Sequence, residues 1–570
     1  MPRYLVTSAL PYANGPLHFG HLVGAYLPAD CYVRTLRALG EEVLFVCGAD
    51  EHGTAITIHA EQERVPYAEY VRRWRETIKS TFDRFGIEFD VWSGTSVCPE
   101  HRATSQEFFR RLDENGYLLK RTSEQLYCPK DRMFLADRYV LGTCYRCGFE
   151  AARGNECPRC GQELDPLRMT VAACRICGTA PEKRATLHWY LDLPKLRDEV
   201  LGDWFRSHSW KPNVTGFIGN QLDEIAPRPI TRDLSWGIPV PEDRAGGERG
   251  KVLYVWFDAP IGYLSFTKEW ARLAGRPDDW KRWWQDPGTR LVHFIGKDNI
   301  SFHCLTFPAM LHGVRQGYVL PWAVPANEFY NLQGGKFSTS QRRTIPLQGF
   351  FERHDRDAAR FYLLSSTPET SDAEWRWEDF QRCVNASLAD KIGNLATRVL
   401  RFVAKHHDGR IPALSAPHEE ELVRALFQDC GPISDPAASI REFRFRRATE
   451  ELLGNASVGN VFVDRMAPWA LAKTDPARSA SVLHAACQWI AWLARWMTPF
   501  MPEKAQSLWS MVGGTGDAAD LPWPGLPAPG RWRLVPEGMP LGEVRGLFAK
   551  LSDEQIASEI AALGAGASVG

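Results

Sequence analysis

The chain has 570 residues and a mass of 64.5 kDa, too long for one hydrophobic core, so roughly three or four domains are expected. Hydrophobic residues make up 44% and charged residues 24%, which excludes a collagen, a disordered tail protein and a small disulfide scaffold. With 68 Lys and Arg against 69 Asp and Glu, the net charge of −1 excludes a highly charged nucleic-acid coat and leaves any polyanion partner to local basic patches. The best apolar run, Trp489 to Met501, is short and carries Arg495, so no transmembrane helix is expected. The start, MPRYLVTSALPY, does not have the form of a signal peptide, and the cytoplasm is the expected location.

In chain order, Tyr4 to Thr7 is a short apolar run followed by the loop Pro11 to Pro16. Leu22, Tyr26, Ala29, Val33 and Leu36 then recur at helical spacing, Gly40 ends that helix, and Val43 to Cys47 is a second apolar run. Strand, loop, helix, strand is the opening of a Rossmann-type doubly wound parallel sheet. From about Leu118 to Arg184 periodicity fades and cysteine, glycine and arginine dominate, which predicts a loop-built insertion held by metal. Val252 to Phe257 and Leu291 to Ile295 read as returning strands. From about Leu388 the spacing is helical: Leu388, Ile392, Leu395, Val399 and Phe402, then Leu483, Ala486, Ile490, Leu493 and Met497. Prolines punctuate between these two runs, so an all-α bundle is expected, with Gly564 to Gly570 as a frayed end.

Seven of the 14 cysteines lie between Cys128 and Cys177, and in a cytosolic chain such clustering argues for metal. Cys144-x-x-Cys147 and Cys157-x-x-Cys160 can close a tetrahedral Zn²⁺ site; four protein ligands leave no open position, so the ion is structural. Cys174-x-x-Cys177 and Cys128 leave a fourth place that Asp131 can fill, giving a second candidate site.

Two segments suit phosphate chemistry. PYANGPLHFGHL, Pro11 to Leu22, joins the first strand to the first helix, where backbone N–H groups favour an anion. His18 and His21 share a face there, and Gly20 leaves room for a flat base. GGKFSTSQRR, Gly334 to Arg343, is a basic, hydroxyl-rich loop able to cover a triphosphate, with Lys336 as charge donor. Taken singly, the first could be a capped helix with surface histidines and the second a solvated loop.

In this order the two segments resemble the signature sequences of class I aminoacyl-tRNA synthetases. ALPYANGPLHFGH, GADEHGT, RDLSWGIPVP, VWFDAPIGY and HFIGKDNISFH sharpen the resemblance to the methionyl-tRNA synthetase family, over about residues 3 to 550. The resemblance implies methionine–tRNA ligase activity. L-methionine and ATP, with Mg²⁺, give methionyl-adenylate and pyrophosphate, and the acyl group passes to the 3′ end of tRNA(Met) for initiation and elongation. It places His18, Gly20, His21, Gly296, Lys297, Asp298, Lys336, Ser338, Thr339 and Ser340 at the ATP site. Leu10, Tyr12, Asp50, Val255, Trp256, Ala259, Pro260, Tyr263, Asn299 and His303 fall to the methionine pocket. Aromatic walls suit a polarizable thioether and a carboxylate suits the substrate ammonium; Asn299 stands where the family often has an aliphatic residue. Thr339 stands where the family's second signature has a second lysine, so Arg342 or Arg343 is expected to supply that charge. Asn394, Arg398 and Trp469 match the family's anticodon readers, and Asn394 and Arg398 share a helix face.

The implied division is 1–117 and 231–335 for the two halves of the catalytic sheet, 118–230 for the zinc insertion, 336–385 for the signature loop and stem-contact region, and 386–570 for the anticodon-binding bundle. Without the extension that dimers of the family carry, a monomer is expected. Two other readings use the same residues: a nucleotidyltransferase with another acceptor, and a non-catalytic zinc-ribbon RNA binder.

Overall fold

A computed structural model describes residues 2–567 other than 136–138, 155–156, 158, 161–163, 209, 249, 336, 338–343 and 529, with 564–567 as backbone only. Five parallel strands form the central sheet: β1 (Arg3–Ser8), β2 (Glu42–Ala49), β3 (Val91–Gly94), β6 (Thr289–Gly296) and β7 (Pro321–Ala323). Their order is β7-β6-β1-β2-β3, with Ala326–Asn327 adding a short pairing to β6. Strand alternation divides the core in two. Tyr4, Val6, Phe45, Val292 and Phe294 face helix α1 (Leu27–Ala38) and the helical half of the chain. Leu5, Leu44, Val46 and Leu291 face helix α2 (Val255–Leu273) and the helix Pro99–Glu114. Both faces of a parallel sheet are thereby covered. The strand order runs outward from β1 in opposite directions, β2 and β3 to one side and β6 and β7 to the other, which opens a crevice at the strands' carboxyl ends.

Two sequence readings are corrected. Of the Val252 to Phe257 run only Val252 and Leu253 are in a strand, Lys251–Leu253; helix α2 begins at Val255. A short apolar run does not by itself distinguish a strand from a buried helix start. The insertion is also more than loops. β4 (Leu118–Cys128) and β5 (Glu182–Leu191) form a long antiparallel ribbon, registered from Leu118↔Leu191 to Tyr127↔Glu182. Much of this ribbon is exposed on both faces, so it lacks the apolar alternation that marks a half-buried strand.

Three long helices build the helical half: α3 (Asn394–His406), α4 (Phe445–Met466) and α5 (Pro476–Met497). α5 is buried almost all round, with Trp489, Trp492 and Trp496 at its centre. Arg495, which interrupts the apolar run, is buried too and donates to the carbonyls of Ala518, Leu521 and Pro522. At Gly459 of α4 a Cβ would stand 2.5 Å from Trp489 and 2.7 Å from Leu395, so three helices meet there at backbone distance. Among the described residues no helix is long and apolar enough to cross a membrane. The last helix runs through Asp553–Ala567, past the expected onset of fraying; 568–570 lie outside the described residues.

Candidate active site

The crevice holds a cavity of about 780 Å³. Its walls come from the ends of β1, β2 and β6, the first turns of α2, and two π-helical segments, Leu22–Tyr26 and Phe302–Thr306. Such wide turns recur at functional sites because they re-aim side chains and backbone.

On one wall, His18 and His21 stack with ring centroids 3.8 Å apart, and the described loop residue Phe337 stacks on His18 at 4.6 Å. The His18 backbone N–H donates to His21 Nδ1 at 3.2 Å. In the neutral His21 ring the proton therefore sits on Nε2, as a hydrogen-bond donor. Burial lowers His21 to about 4; burial and then the neighbouring His21 lower His18 to about 2. Both rings are thus neutral at pH 7. His21 itself is exposed to the cavity, but the protein surrounding that cavity still hinders hydration of a cation. A Cβ on Gly20 would meet the Tyr330 carbonyl at 2.8 Å and the His18 ring at 2.9 Å, so only glycine lets these segments approach.

All ten residues expected at the amino-acid pocket line this same cavity: Leu10, Tyr12, Asp50, Val255, Trp256, Ala259, Pro260, Tyr263, Asn299 and His303. Trp256 is 40% exposed and stacks on Phe302 at 3.9 Å, so it is not a core aromatic. Tyr263 is buried. His303 donates from Nδ1 to the Asn299 carbonyl at 3.1 Å, so its neutral Nε2 accepts from the Tyr263 hydroxyl at 2.9 Å. Burial lowers His303 to about 4, which keeps that arrangement at neutral pH. Burial, then the nearby Asp258 carboxylate, raise the Asp50 carboxyl well above the ordinary range. Asn299 contributes its carbonyl to His303 and an amide N–H to Asp298 at 3.2 Å.

Gly296 and Asp298 also line the cavity, whereas Lys297 does not. Its ammonium bonds to Glu328 at 2.7 Å and Asp372 at 2.8 Å above the Phe329 ring. Lys336, Ser338, Thr339 and Ser340 lie outside the described residues, as do Arg342 and Arg343. Sequence reasoning missed Phe302 and Glu328 on the cavity wall. Phe302 had a signal, since it adjoins His303 in HFIGKDNISFH.

In the insertion, Cys144, Cys147, Cys157 and Cys160 place their sulfurs within 4.8 Å of one another. The Cys144–Cys160 and Cys147–Cys157 separations are 4.0 and 3.6 Å. Zn–S bonds of about 2.3 Å in a tetrahedron put sulfurs roughly 3.8 Å apart, and no pair here is close enough for a disulfide. Cys128, Asp131, Cys174 and Cys177 form a second such group, with Asp131 Oδ2 3.2 and 3.1 Å from the sulfurs of Cys128 and Cys174.

Far along the chain, the Arg398 guanidinium lies 4.8 Å over the Trp469 ring and bonds to Asp464 at 2.8 Å. Asn394 is exposed one helical turn before Arg398.

The comparisons agree with this layout. The family model described as "tRNA synthetases class I (M)" matches residues 4–400, and "Anticodon binding domain of methionyl tRNA ligase" matches residues 412–566. A methionine–tRNA ligase from Salinibacter ruber is 44% identical over 98% of this chain and 80% of its own length. One from Rubrobacter xylanophilus is 43% identical over 97% of this chain and 96% of its own. The solved structure of Mycobacterium tuberculosis methionyl-tRNA synthetase in complex with methionyl-adenylate superposes with a TM-score of 0.74 at 25% identity, covering 96% of this chain and 100% of that one. A doubly wound sheet with paired histidines at its crevice, followed by a helical half matched to an anticodon-binding domain, thus comes with full-length kinship, and the chain belongs to the class I methionine–tRNA ligases.

Proposed function

We propose that this chain activates L-methionine with ATP and then esterifies tRNA(Met). A methionine carboxylate oxygen attacks the α-phosphorus, the bond to pyrophosphate breaks, and methionyl-adenylate forms. The tRNA 3′-terminal hydroxyl then attacks the acyl carbon and AMP leaves. The observation that carries this reading is one cavity with paired imidazoles on one wall and an aromatic slot with a carboxylate, Asp50, on the other. Phosphoryl transfer asks for positioning and charge stabilisation rather than a nucleophile. Neutral His21 offers Nε2–H to the phosphates, and His18 stacks beside it. Gly296 and Asp298 serve the ribose and base, and Lys336, Ser338, Thr339 and Ser340 serve the pyrophosphate, with Arg342 or Arg343 supplying the charge that Thr339 lacks. Mg²⁺ accompanies ATP.

Asp50 takes the substrate ammonium, which returns its carboxyl to the ionised form. Leu10, Tyr12, Val255, Trp256, Ala259 and Pro260 surround the thioether, with His303 fixing Tyr263 and Asn299 fixing His303. Cys144, Cys147, Cys157 and Cys160 would hold a structural Zn²⁺, and Cys128, Asp131, Cys174 and Cys177 a second; bound metal would cross-link the part of the insertion between Cys128 and Cys177. Arg398 and Trp469 offer a stacking platform and Asn394 an amide for unstacked anticodon bases. The division proposed from sequence, at 118, 231, 336 and 386, follows these roles. Methionine-dependent ATP–pyrophosphate exchange tests activation and tRNA charging tests transfer. Exchange without charging would favour a nucleotidyltransferase with another acceptor, and neither activity would favour an RNA binder.

A further inference from the structure

Behind the amino-acid side of the cavity lies a buried polar group that the proposed reaction does not use. Asp258 sits in the first turn of α2 on the face away from the cavity, and its side chain is fully buried. His52 Nδ1 bonds to its Oδ2 at 2.5 Å. His101 Nε2 stands 3.6 Å away, beyond a good hydrogen bond, while its Nδ1 pairs with the Ser265 hydroxyl at 2.9 Å. Among the described residues, His52 is therefore the side chain that holds Asp258. The 2.5 Å separation is that of a hydrogen bond; ligands across a shared metal ion would be roughly 3 Å apart.

The two ends of this bond are unequally fixed. The loop carrying His52 is anchored already. The Asp50 N–H donates to the Pro11 carbonyl at 2.9 Å, and Glu51 is buried against Arg75 and accepts from the Ser96 hydroxyl at 2.6 Å. Trp236 donates to the Glu51 carbonyl at 2.6 Å. The start of α2 is weaker, because Pro260 lies inside the helix. Without an N–H, Pro260 cannot bond back to the Trp256 carbonyl. The turn lacking that bond carries Val255, Trp256, Ala259 and Pro260, one wall of the side-chain slot.

We propose that the His52–Asp258 pair is a positioning device that clamps the first turn of α2 to the fixed loop and so sets the width of the slot that selects the amino-acid side chain. The inference rests on the methionine reading above and deepens it. His52 and Asp258 touch no substrate; they act through the helix wall.

The test uses the full-length enzyme in amino-acid-dependent ATP–pyrophosphate exchange, with L-methionine and with L-ethionine, one methylene longer. A methylene is worth about 10-fold or more in such slots. His52→Ala is expected to raise KM for methionine about tenfold and lower the methionine-over-ethionine kcat/KM ratio by a similar factor, with KM for ATP changed less than about twofold. His52→Asn, which keeps a donor near the Nδ1 position, is expected to restore most of both. Asp258→Asn shifts them in the same direction by less and serves should His52→Ala fail to fold. Unaltered methionine KM and selectivity in these variants would overturn the inference. So would parallel rises in both KM values with selectivity intact, which mark general distortion. No methionine-dependent exchange by the wild type would remove the methionine reading itself; normal wild-type exchange with unaltered variants removes this inference alone.

Discussion

At the scale of single residues the site depends on neutral imidazoles and on one glycine. Replacing His18 by alanine removes the ring that stacks on His21 at 3.8 Å, which in the proposed reaction faces the phosphates, and exchange is expected to fall about 10²- to 10³-fold with little change in KM for methionine. Gly20→Ala drives a methyl into the Tyr330 carbonyl and the His18 ring, and a comparable loss of exchange is expected together with a lowered thermal midpoint as these segments are forced apart. The histidines also set a pH dependence. His18, His21 and His303 titrate below their ordinary value of 6.5 in the folded protein, so the unfolded chain binds more protons below that pH. Stability is therefore present in full above about pH 6.5 and is lost as pH falls toward 4, by at most about 1.4 kcal/mol per pH unit for His18 and for His303, and by less for the exposed His21, where solvent screens the charge. Unfolding midpoints measured from pH 7.5 to 5 should fall, and less steeply in His303→Gln. The ten pocket residues were legible through resemblance, not through periodicity, because strand-end and helix-start side chains around a cavity share no single spacing. Lys297 shows the limit: its motif neighbours line the cavity while its own ammonium turns to Glu328 and Asp372, partners that come from distant segments.

Among the elements, burial decided what could be read in advance. Buried strands β1, β2 and β6 and helices α3 and α5 gave clear apolar runs, since each must hide a face or its whole girth. The exposed ribbon β4–β5 gave none, and Val255 to Phe257 was apolar enough for either strand or helix. The cysteine pairs, by contrast, were legible from spacing alone. Sequestering zinc with a strong chelator should expose the insertion to proteolysis while the thermal transition of the bundle stays in place, and Cys144→Ser should release one equivalent of zinc in a metal assay. In the bundle, Gly459→Ala would press a methyl on Trp489 and Leu395. A loss of about 1–3 kcal/mol in denaturant-unfolding stability is expected.

Across the whole molecule, one buried guanidinium joins the nucleotide-binding sheet to the helical half. Arg360 pairs with Asp30 of α1 at 2.5 Å and donates to the carbonyls of Phe85, Gly86, Pro499 and Phe500 at 3.1 to 3.3 Å. Arg360→Ala would leave Asp30 to Arg34 alone, at 2.9 Å, and take the donor from four carbonyls, at a cost of about 1–3 kcal/mol, and calorimetry is expected to resolve two transitions in the variant where the wild type is expected to unfold in one. No periodicity announces such a residue, because its partners are carbonyls and a carboxylate brought together only by the fold. This joint ties the helical half to the sheet that carries the cavity, as the proposed reading of one end of a tRNA and esterification of the other requires. The most direct measurement of the central claim is ATP–pyrophosphate exchange by the wild type and by His18→Ala, with methionine present and absent. Methionine-dependent exchange that collapses in the variant is expected; exchange indifferent to methionine, or a variant as fast as the wild type, would contradict the proposed reaction.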